Sequence, residues 1–524
     1  VYEHRVVTWD AAAFRCHMPG VTEPTVLGSS KQLGERMTSD MPRLKHKSEP
    51  GSGRVRGRVI ALFLMVAILL TGAYYRLVGQ NWDDFTHLHP DERFLTQVAE
   101  AIGMPMLLLS ADPKDLDTTL GTDIDPVTKE KQMAYCLSTY PDTNGVGDFF
   151  DSRCTSWYPV NIGHGLYVYG ELPLFVVRLS GEFAKQIHRS IAQGTPDLED
   201  DIVANSWAGY NGVHLVGRMV SAIADLFALV FLFLIGRRLY NKWVGLLAMA
   251  LMAAAVLPIQ LSHFWTADAF TILPVTVAFY FAVRAQDTGD WRDFIGFGIA
   301  MGASIASRIN VLPLVGVIGL AALLHAMPVL DVVVPRQERV RTLLRMGVGL
   351  LLSGVFMFVT FRFAMPHAFQ GGPGVLGIFN VRPYSPWISD VLEAQYLTSG
   401  RADIPPNHQW ASRVPYAFSL WNMTAFGMGL PLGIIAWASW ASAGVIILRA
   451  QPGWTRHMLP VVWILVYFAL MGRLWVMAMR YYIVMYPFMA LLAAWGLVAL
   501  VNWARARLQR SESPGLLSRL GYGL

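Results

Sequence analysis

Charged residues are scarce in this chain: 15% of its 524 residues are Asp, Glu, Lys or Arg, whereas 54% are hydrophobic. That balance excludes a soluble protein of two or three domains and leaves an integral membrane protein. The net charge is only +5, with the basic residues dispersed between apolar segments, which argues against nucleic acid as a partner. Nucleotide signatures are missing as well. No Gly-rich loop ends in Lys-Ser/Thr, and no Gly-x-Gly-x-x-Gly stands between a strand and a helix, so an ATP-driven pump and a nicotinamide enzyme are both disfavoured. Any energised substrate has to arrive already activated. Neither HExxH nor CxxC occurs. Cysteine is rare: Cys16 lies in the N-terminal tail, and Cys136 and Cys154 share one long hydrophilic segment. A Cys136–Cys154 disulfide is allowed if that segment lies outside the cytoplasm, although two thiols at this spacing can equally stay unpaired.

The tail 1–58 is polar and patternless and has no short apolar core or cleavage site of a signal peptide. It reads as a disordered cytoplasmic tail, and whether residues 1–36 belong to the native protein is left open. Apolar runs then follow at 59–79, 213–235, 243–261, 270–283, 294–307, 311–327, 343–363, 421–448, 458–471 and 482–503. The expected fold is an all-α polytopic membrane protein with about 10 transmembrane helices (9 to 12) and a short cytoplasmic tail, 504–524. Between these spans lie two long hydrophilic segments, 80–211 and 364–420. Inside the first, "GLYVYGELPLFVVRLSGEF" is apolar but interrupted by Glu171, Pro173 and Arg178, which suits a helix lying at the interface. In the fifth span, Gly298 and Gly302 would allow a neighbouring helix to approach closely.

Lys and Arg set the orientation. With ten spans the inner loops hold Arg237, Arg238, Lys242, Arg284, Arg292, Arg336, Arg339, Arg341, Arg345, Arg449 and Arg456, while the outer short loops hold only Arg308, Arg473 and Arg480. Both long segments therefore fall outside, together with the short loop "SHFWTAD".

Three features on that face could carry chemistry. In "THLHPDERF", Pro90 fits the first turn of a helix and places Asp91 and Glu92 at its N-terminus, where the helix dipole favours anions; solvated juxtamembrane charge is the plainer reading. In "SHFWTAD", His263 and Asp268 flank two aromatic residues at the same depth, where an aromatic belt with an incidental acid is the alternative. Two carboxylates meeting there could supply a general base and a metal ligand. Arg308 and Arg480 lie at outer ends of spans, against the positive-inside trend, and an anionic lipid head group would give each a partner; salt bridges to the long loops are the alternative. His214 and Arg218 could join either network.

A single span, an outer loop opening on Asp-Glu, an interfacial helix with Leu-Pro, and then "GRMVSAIADLFALVFLFLIGRRLYNKWVGLLAMALMAAAVLPIQLSHFWTADAF" resemble the GT-C class of membrane glycosyltransferases. The branch most similar contains the protein O-mannosyltransferases and the aminoarabinose transferases, and "MRYYIVMYPFMALLAAWGL" is like its late segment. The resemblance implies a transmembrane catalytic module over 59–363, with C-terminal spans at 421–503, and a polyprenyl-phosphate-linked sugar as donor. It also implies a bacterial plasma membrane with the site on the extracytoplasmic face. It makes Asp91 the catalytic base, Glu92 its neighbour, and Asp268 a second acid near the donor or a metal. Arg480 becomes a lipid-phosphate contact and Arg308 stands where relatives often carry Lys. Tyr481, His263 and Arg218 are further candidate substrate contacts. If a divalent metal takes part, His89, Glu92 and Asp268 are its candidate ligands, with His87 and His263 nearby. The acceptor, whether lipid, glycan or protein, stays open. A secondary transporter or lipid flippase, and a structural subunit of a membrane complex, are the rival readings. Transporters place ionisable residues near the middle of spans, whereas the clearest charges here gather at one face.

Overall fold

Helices begin where the apolar runs predict them. The computed structural model describes residues 52–102, 126–192, 206–330 and 334–512, so most of the tail expected over 1–58 lies outside the described residues. Among the described residues there is no β-strand, only isolated bridges joining Asp151 to Gly371 and Phe369 to Pro383. In chain order the helices are α1 (Ser52–Leu77), α2 (Pro90–Ala101), α3 (Pro126–Thr139), α4 (Glu171–Ala192), α5 (Tyr210–Leu239), α6 (Lys242–Ala253), α7 (Val256–Leu261), α8 (Ala267–Thr288) and α9 (Trp291–Ser307). They continue with α10 (Val315–Ala326), α11 (Arg336–Ala364), α12 (Ser385–Leu397), α13 (Pro405–His408), α14 (Ala417–Asn422), α15 (Leu430–Leu448), α16 (Thr455–Met471) and α17 (Tyr486–Glu512).

Among the described residues, seven helical segments are long and apolar enough to cross a bilayer: Gly57–Leu77, Tyr210–Leu239, Ala267–Thr288, Ile309–Leu330, Arg336–Ala364, Leu430–Leu448 and Met479–Leu508. The protein is an integral membrane protein. The other three apolar runs are helical but short, with 12 residues in α6 and 17 in each of α9 and α16. The expected span at 243–261 is divided into α6 and α7. Pro258 explains the break, because its ring cannot donate a hydrogen bond to Ala254 and crowds that carbonyl. A buried cation serves the broken end. The Arg76 guanidinium donates to the carbonyls of Met252 (3.3 Å) and Ala253 (3.0 Å), and its charge is balanced by Asp225 at 2.6 Å. At membrane depth such backbone groups need a partner from within the protein.

One large apolar core is built from α5, α6, α8, α9, α10, α16 and α17. Gly298 and Gly302 let α9 lie directly against the backbone of α11, where an added Cβ would collide with the carbonyls of Ser353 and Met357. A second core joins Leu95 and Val98 of α2 with Leu174 and Phe175 of α4 and Val213 and Val216 of α5. This core pins α2 and α4 against the N-terminal end of α5. The apolar stretch that was expected at the interface is α4. It buries Arg178, which donates to the carbonyls of Ala99 (3.0 Å) and Ala208 (2.7 Å), and exposes Leu179, Phe183, Ile187 and Ile191 at four-residue spacing. A disulfide joins Cys136 of α3 to Cys154 in the segment before α4, with Cα atoms 5.6 Å apart.

The two ends of the bundle differ in what they gather. At one end Arg238 pairs with Asp287 at 2.6 Å, Arg284 pairs with Asp293 at 2.6 Å, and Lys242 donates to the Gly57 carbonyl. At the other end lie the N-termini of α2, α5 and α8 and the C-terminus of α9.

Candidate active site

Local chemistry starts α2 at His89. His89 is the N-cap, its Nδ1 accepts a hydrogen bond from the Glu92 amide (3.3 Å), and Pro90 occupies the first helical position, where its missing N–H costs nothing. Asp91 and Glu92 follow in the first turn, about 100° apart around the helix axis. Adjacent in sequence, they enter different surroundings.

Glu92 points inward and is fully buried. Its Oε1 accepts from Arg218 Nε (2.8 Å) and from the Trp265 amide (2.8 Å), and its Oε2 accepts from Arg218 Nη2 (2.7 Å). The same guanidinium grips Asp83 at 2.9 and 3.0 Å and the Gln80 carbonyl at 2.6 Å. Burial pushes the Glu92 carboxyl above its ordinary value, against the pull of Arg218. Burial also works to raise Asp83, but the hydrogen bonds and charge of Arg218 outweigh it and hold that carboxyl below the ordinary range. With every oxygen engaged, this knot joins the loop after α1, α2, α5 and the loop before α8. It is built to hold rather than to react.

Asp91 turns the other way and keeps 22% of its side chain exposed. Arg480 lies 3.1 Å from its Oδ2 and also 3.6 Å from Oδ2 of Asp268, so one guanidinium bridges the two acids. Arg308 forms the second ion pair of Asp268. Both arginines lie over the ring of Tyr481, at 4.6 and 5.4 Å from its centroid. Helix ends place these groups. Asp268 sits in the first turn of α8, where the dipole favours an anion, and Arg308 caps the C-terminus of α9, where it favours a cation. Arg480 stands in the 3-10 turn Met479–Met485 that leads into α17. Thus the structure brings together Asp91, Asp268, Arg308, Arg480 and Tyr481 from four separate parts of the chain.

It adds one residue that sequence reasoning missed. Burial raises the Tyr169 phenol above its ordinary value, and the nearby Asp91 carboxylate adds to the rise. Its only sequence signal was position, two residues before Glu171 in the stretch read as interfacial.

Other candidates lie elsewhere. Arg218 belongs to the buried knot. The ring nitrogens of His263 face the carbonyls of Ile259 (2.9 Å) and Val78 (3.0 Å), tying α7 to α1 instead of facing a substrate. His87 is buried against His214 and Tyr210. The residues expected as metal ligands, His89, Glu92 and Asp268, are engaged with other groups. His89 Nδ1 is spent on its cap, both Glu92 oxygens are held by Arg218, and Asp268 faces two guanidinium groups. Among the described residues no three His, Cys, Asp or Glu side chains gather as a metal site. Burial lowers the His89 imidazole below its ordinary value, although Asp91 works against that. Two guanidinium groups held apart by carboxylates, with one carboxylate partly open, form a place where an anion can displace a carboxylate and where a hydroxyl can meet a base.

The fold is similar to that of several solved structures. Archaeal oligosaccharyltransferase AglB from Archaeoglobus fulgidus, in complex with an inhibitory peptide and a dolichol-phosphate, is 13% identical with a TM-score of 0.45, covering 88% of this chain and 52% of that one. ArnT from Cupriavidus metallidurans in the apo state is 12% identical with a TM-score of 0.41, covering 87% and 62%. The same protein bound to undecaprenyl phosphate gives 13%, 0.41, 85% and 60%. This chain therefore spans between half and two thirds of the length of these structures. Comparison with curated proteins gives no match. Residues 210–359 match the sequence profile described as dolichyl-phosphate-mannose-protein mannosyltransferase, and they include Arg218, Asp268 and Arg308. Over residues 210–359 the chain is similar to the mannosyltransferase family.

Proposed function

We propose that this protein transfers a sugar from a polyprenyl-phosphate-linked donor to an acceptor hydroxyl, by inverting displacement. The observation that carries the reading is Arg480 bridging Asp91 and Asp268 beside Arg308 at one end of the membrane helices. Such a donor is already activated, so the enzyme has to remove a proton from the acceptor and steady the departing phosphate. In the proposed step Asp91 takes the acceptor proton and the acceptor oxygen attacks the anomeric carbon. The bond from that carbon to the phosphate oxygen breaks, and the bonding electrons leave with the lipid phosphate. Arg308 and Arg480 hold the growing negative charge, which they are suited to do by planar, permanently charged forks. Asp268 keeps both arginines aimed before substrate arrives. Tyr169 stands beside the Asp91 carboxylate. No step is routed through a metal, since the residues expected to bind one are engaged otherwise.

The Lys and Arg asymmetry between the loops supports an extracytoplasmic site, and a bacterial plasma membrane is the proposed setting. The acceptor is a lipid, glycan or protein of the cell envelope. The test uses the full chain in vesicles containing a series of polyprenyl-phosphate-linked sugars and envelope acceptor fractions. The expected result is release of polyprenyl phosphate, together with a new glycosidic bond whose anomeric configuration is opposite to that of the donor. Movement of intact lipid-linked sugar across the bilayer without bond cleavage would replace this reading with that of a flippase.

A further inference from the structure

The second long hydrophilic segment contains an apolar apex. After α11 ends at Ala364, "GGPGVLGIFNVRP" turns through Gly371 and Gly374, both at positive φ, and presents Val375, Leu376 and Phe379 with 81%, 77% and 75% of their surface exposed. Exposed apolar residues scattered singly are ordinary, but three large ones on one short 3-10 turn, Val375–Phe379, form a patch that water solvates poorly. The patch is held in place. Arg362 is buried in the last turn of α11 and donates to the carbonyls of Gly377 (2.9 Å), Ile378 (3.0 Å) and Pro366 (3.1 Å). Asp148 accepts from the Gly374 amide (2.7 Å), and Asn380 donates to the Gly371 carbonyl (2.5 Å). A loop fixed by five such bonds cannot fold its apolar side chains back onto the protein.

Its level in the membrane follows from Arg362. The apex hydrogen-bonds directly to the final turn of a membrane-length helix, on which Phe358, Val359 and Phe363 are exposed. The apex therefore stands at the end of an apolar helix long enough to cross a bilayer. Arg382 is exposed beside the apex, where Asp148 is an adjoining acid held by the Gly374 amide. The loop base packs Met365, Ala368 and Phe369 against Ala306, two residues before Arg308.

We propose that the Val375–Phe379 apex is a membrane anchor, inserted among the head groups and upper acyl chains beside α11, with Arg382 at the level of anionic lipid phosphates. The anchor fixes the end of α9, and with it Arg308, relative to the lipid surface. Such a device serves a protein whose substrate lies in the membrane.

The test places an environment-sensitive fluorophore on the full chain, with Cys16→Ser removing the free thiol and Leu376→Cys introducing the labelling position. A second preparation carries Phe379→Cys, and a control carries Asp403→Cys at an exposed polar position. In vesicles of phosphatidylethanolamine and phosphatidylglycerol, the labels at Leu376 and Phe379 should emit to the blue of the control. Lipids bearing a nitroxide on the acyl chain should quench them several-fold more strongly than the control. Water-like emission with free quenching by iodide would overturn the anchor. So would a blue shift that nitroxide lipids leave untouched and that grows with protein density, which would mark contact with a second copy.

Discussion

Asp91 and Glu92 are the same chemical group one position apart, and their neighbours decide what each can do. Glu92 shares Arg218 with Asp83 in a site without solvent, so removing its charge leaves the guanidinium short of a partner. Breaking a buried pair from one side costs about 3–5 kcal/mol. Glu92→Gln should therefore lower the thermal unfolding midpoint of the protein in detergent by many degrees, and an unchanged midpoint would show that the knot does not hold the fold. His87 gives a pH effect whose sign can be worked out. Its ring is buried, its nitrogens find no hydrogen-bond partner among the described residues, and the groups around it are His214, Asp83, Arg218 and Arg93. Burial is the leading cause that lowers its pKa from the ordinary 6.5. On acidification the unfolded chain binds the proton first, so this contribution to stability is complete above the ordinary value and is lost as pH falls toward the folded value. Unfolding midpoints should fall between about pH 7.5 and about pH 5.5. His87→Phe should flatten that slope, and a slope unchanged by the substitution would assign the pH effect to other groups. At this scale the sequence was legible where helix ends dictate position: Asp268, Arg308 and Arg480 each stand at a helix terminus, with Arg480 reaching both Asp91 and Asp268 and Arg308 pairing with Asp268. It was illegible where a side chain turns inward, because nothing in "HLHPDERF" distinguishes the outward Asp from the inward Glu, and Tyr169 and Asp83 have no local pattern at all.

Elements meet the site through close approach. Gly170 lies where a Cβ would collide with the carbonyl oxygens of Ala306 and Ser307, so only glycine lets the segment ending in Tyr169 lie against the end of α9. Gly170→Ala should push Tyr169 away from Asp91 and Arg308 away from Asp268. Overpacking of this kind costs about 1–3 kcal/mol. The measurement is unfolding in detergent together with sugar transfer, and an alanine variant equal to wild type in both would show that this contact does not set the site. Gly298 and Gly302, read from their spacing, do bring α9 against α11, since periodicity on one helix is a local signal. The break between α6 and α7 was less legible. Pro258 was visible in the run at 243–261, but Arg76, which satisfies the exposed carbonyls, lies more than 170 residues away from them.

Across the whole molecule, charge is sorted between two ends. Arg238, Arg284 and Lys242 meet their partners at one end, and Arg308 and Arg480 meet Asp91 and Asp268 at the other. The number and order of apolar runs were legible because burial in lipid demands long apolar stretches; the architecture of the two hydrophilic segments was not, since it rests on contacts such as Glu171 with His367 at 3.1 Å, far apart in sequence. In the proposed function a lipid-bound donor and an acceptor hydroxyl meet at this charged end, with Asp91 acting there as the base. The most direct test is the single-turnover rate of sugar transfer by Asp91→Asn in vesicles, read beside its affinity for polyprenyl phosphate. A lost general base should slow transfer by about 100- to 10,000-fold while lipid binding is kept; transfer at the wild-type rate would contradict the account.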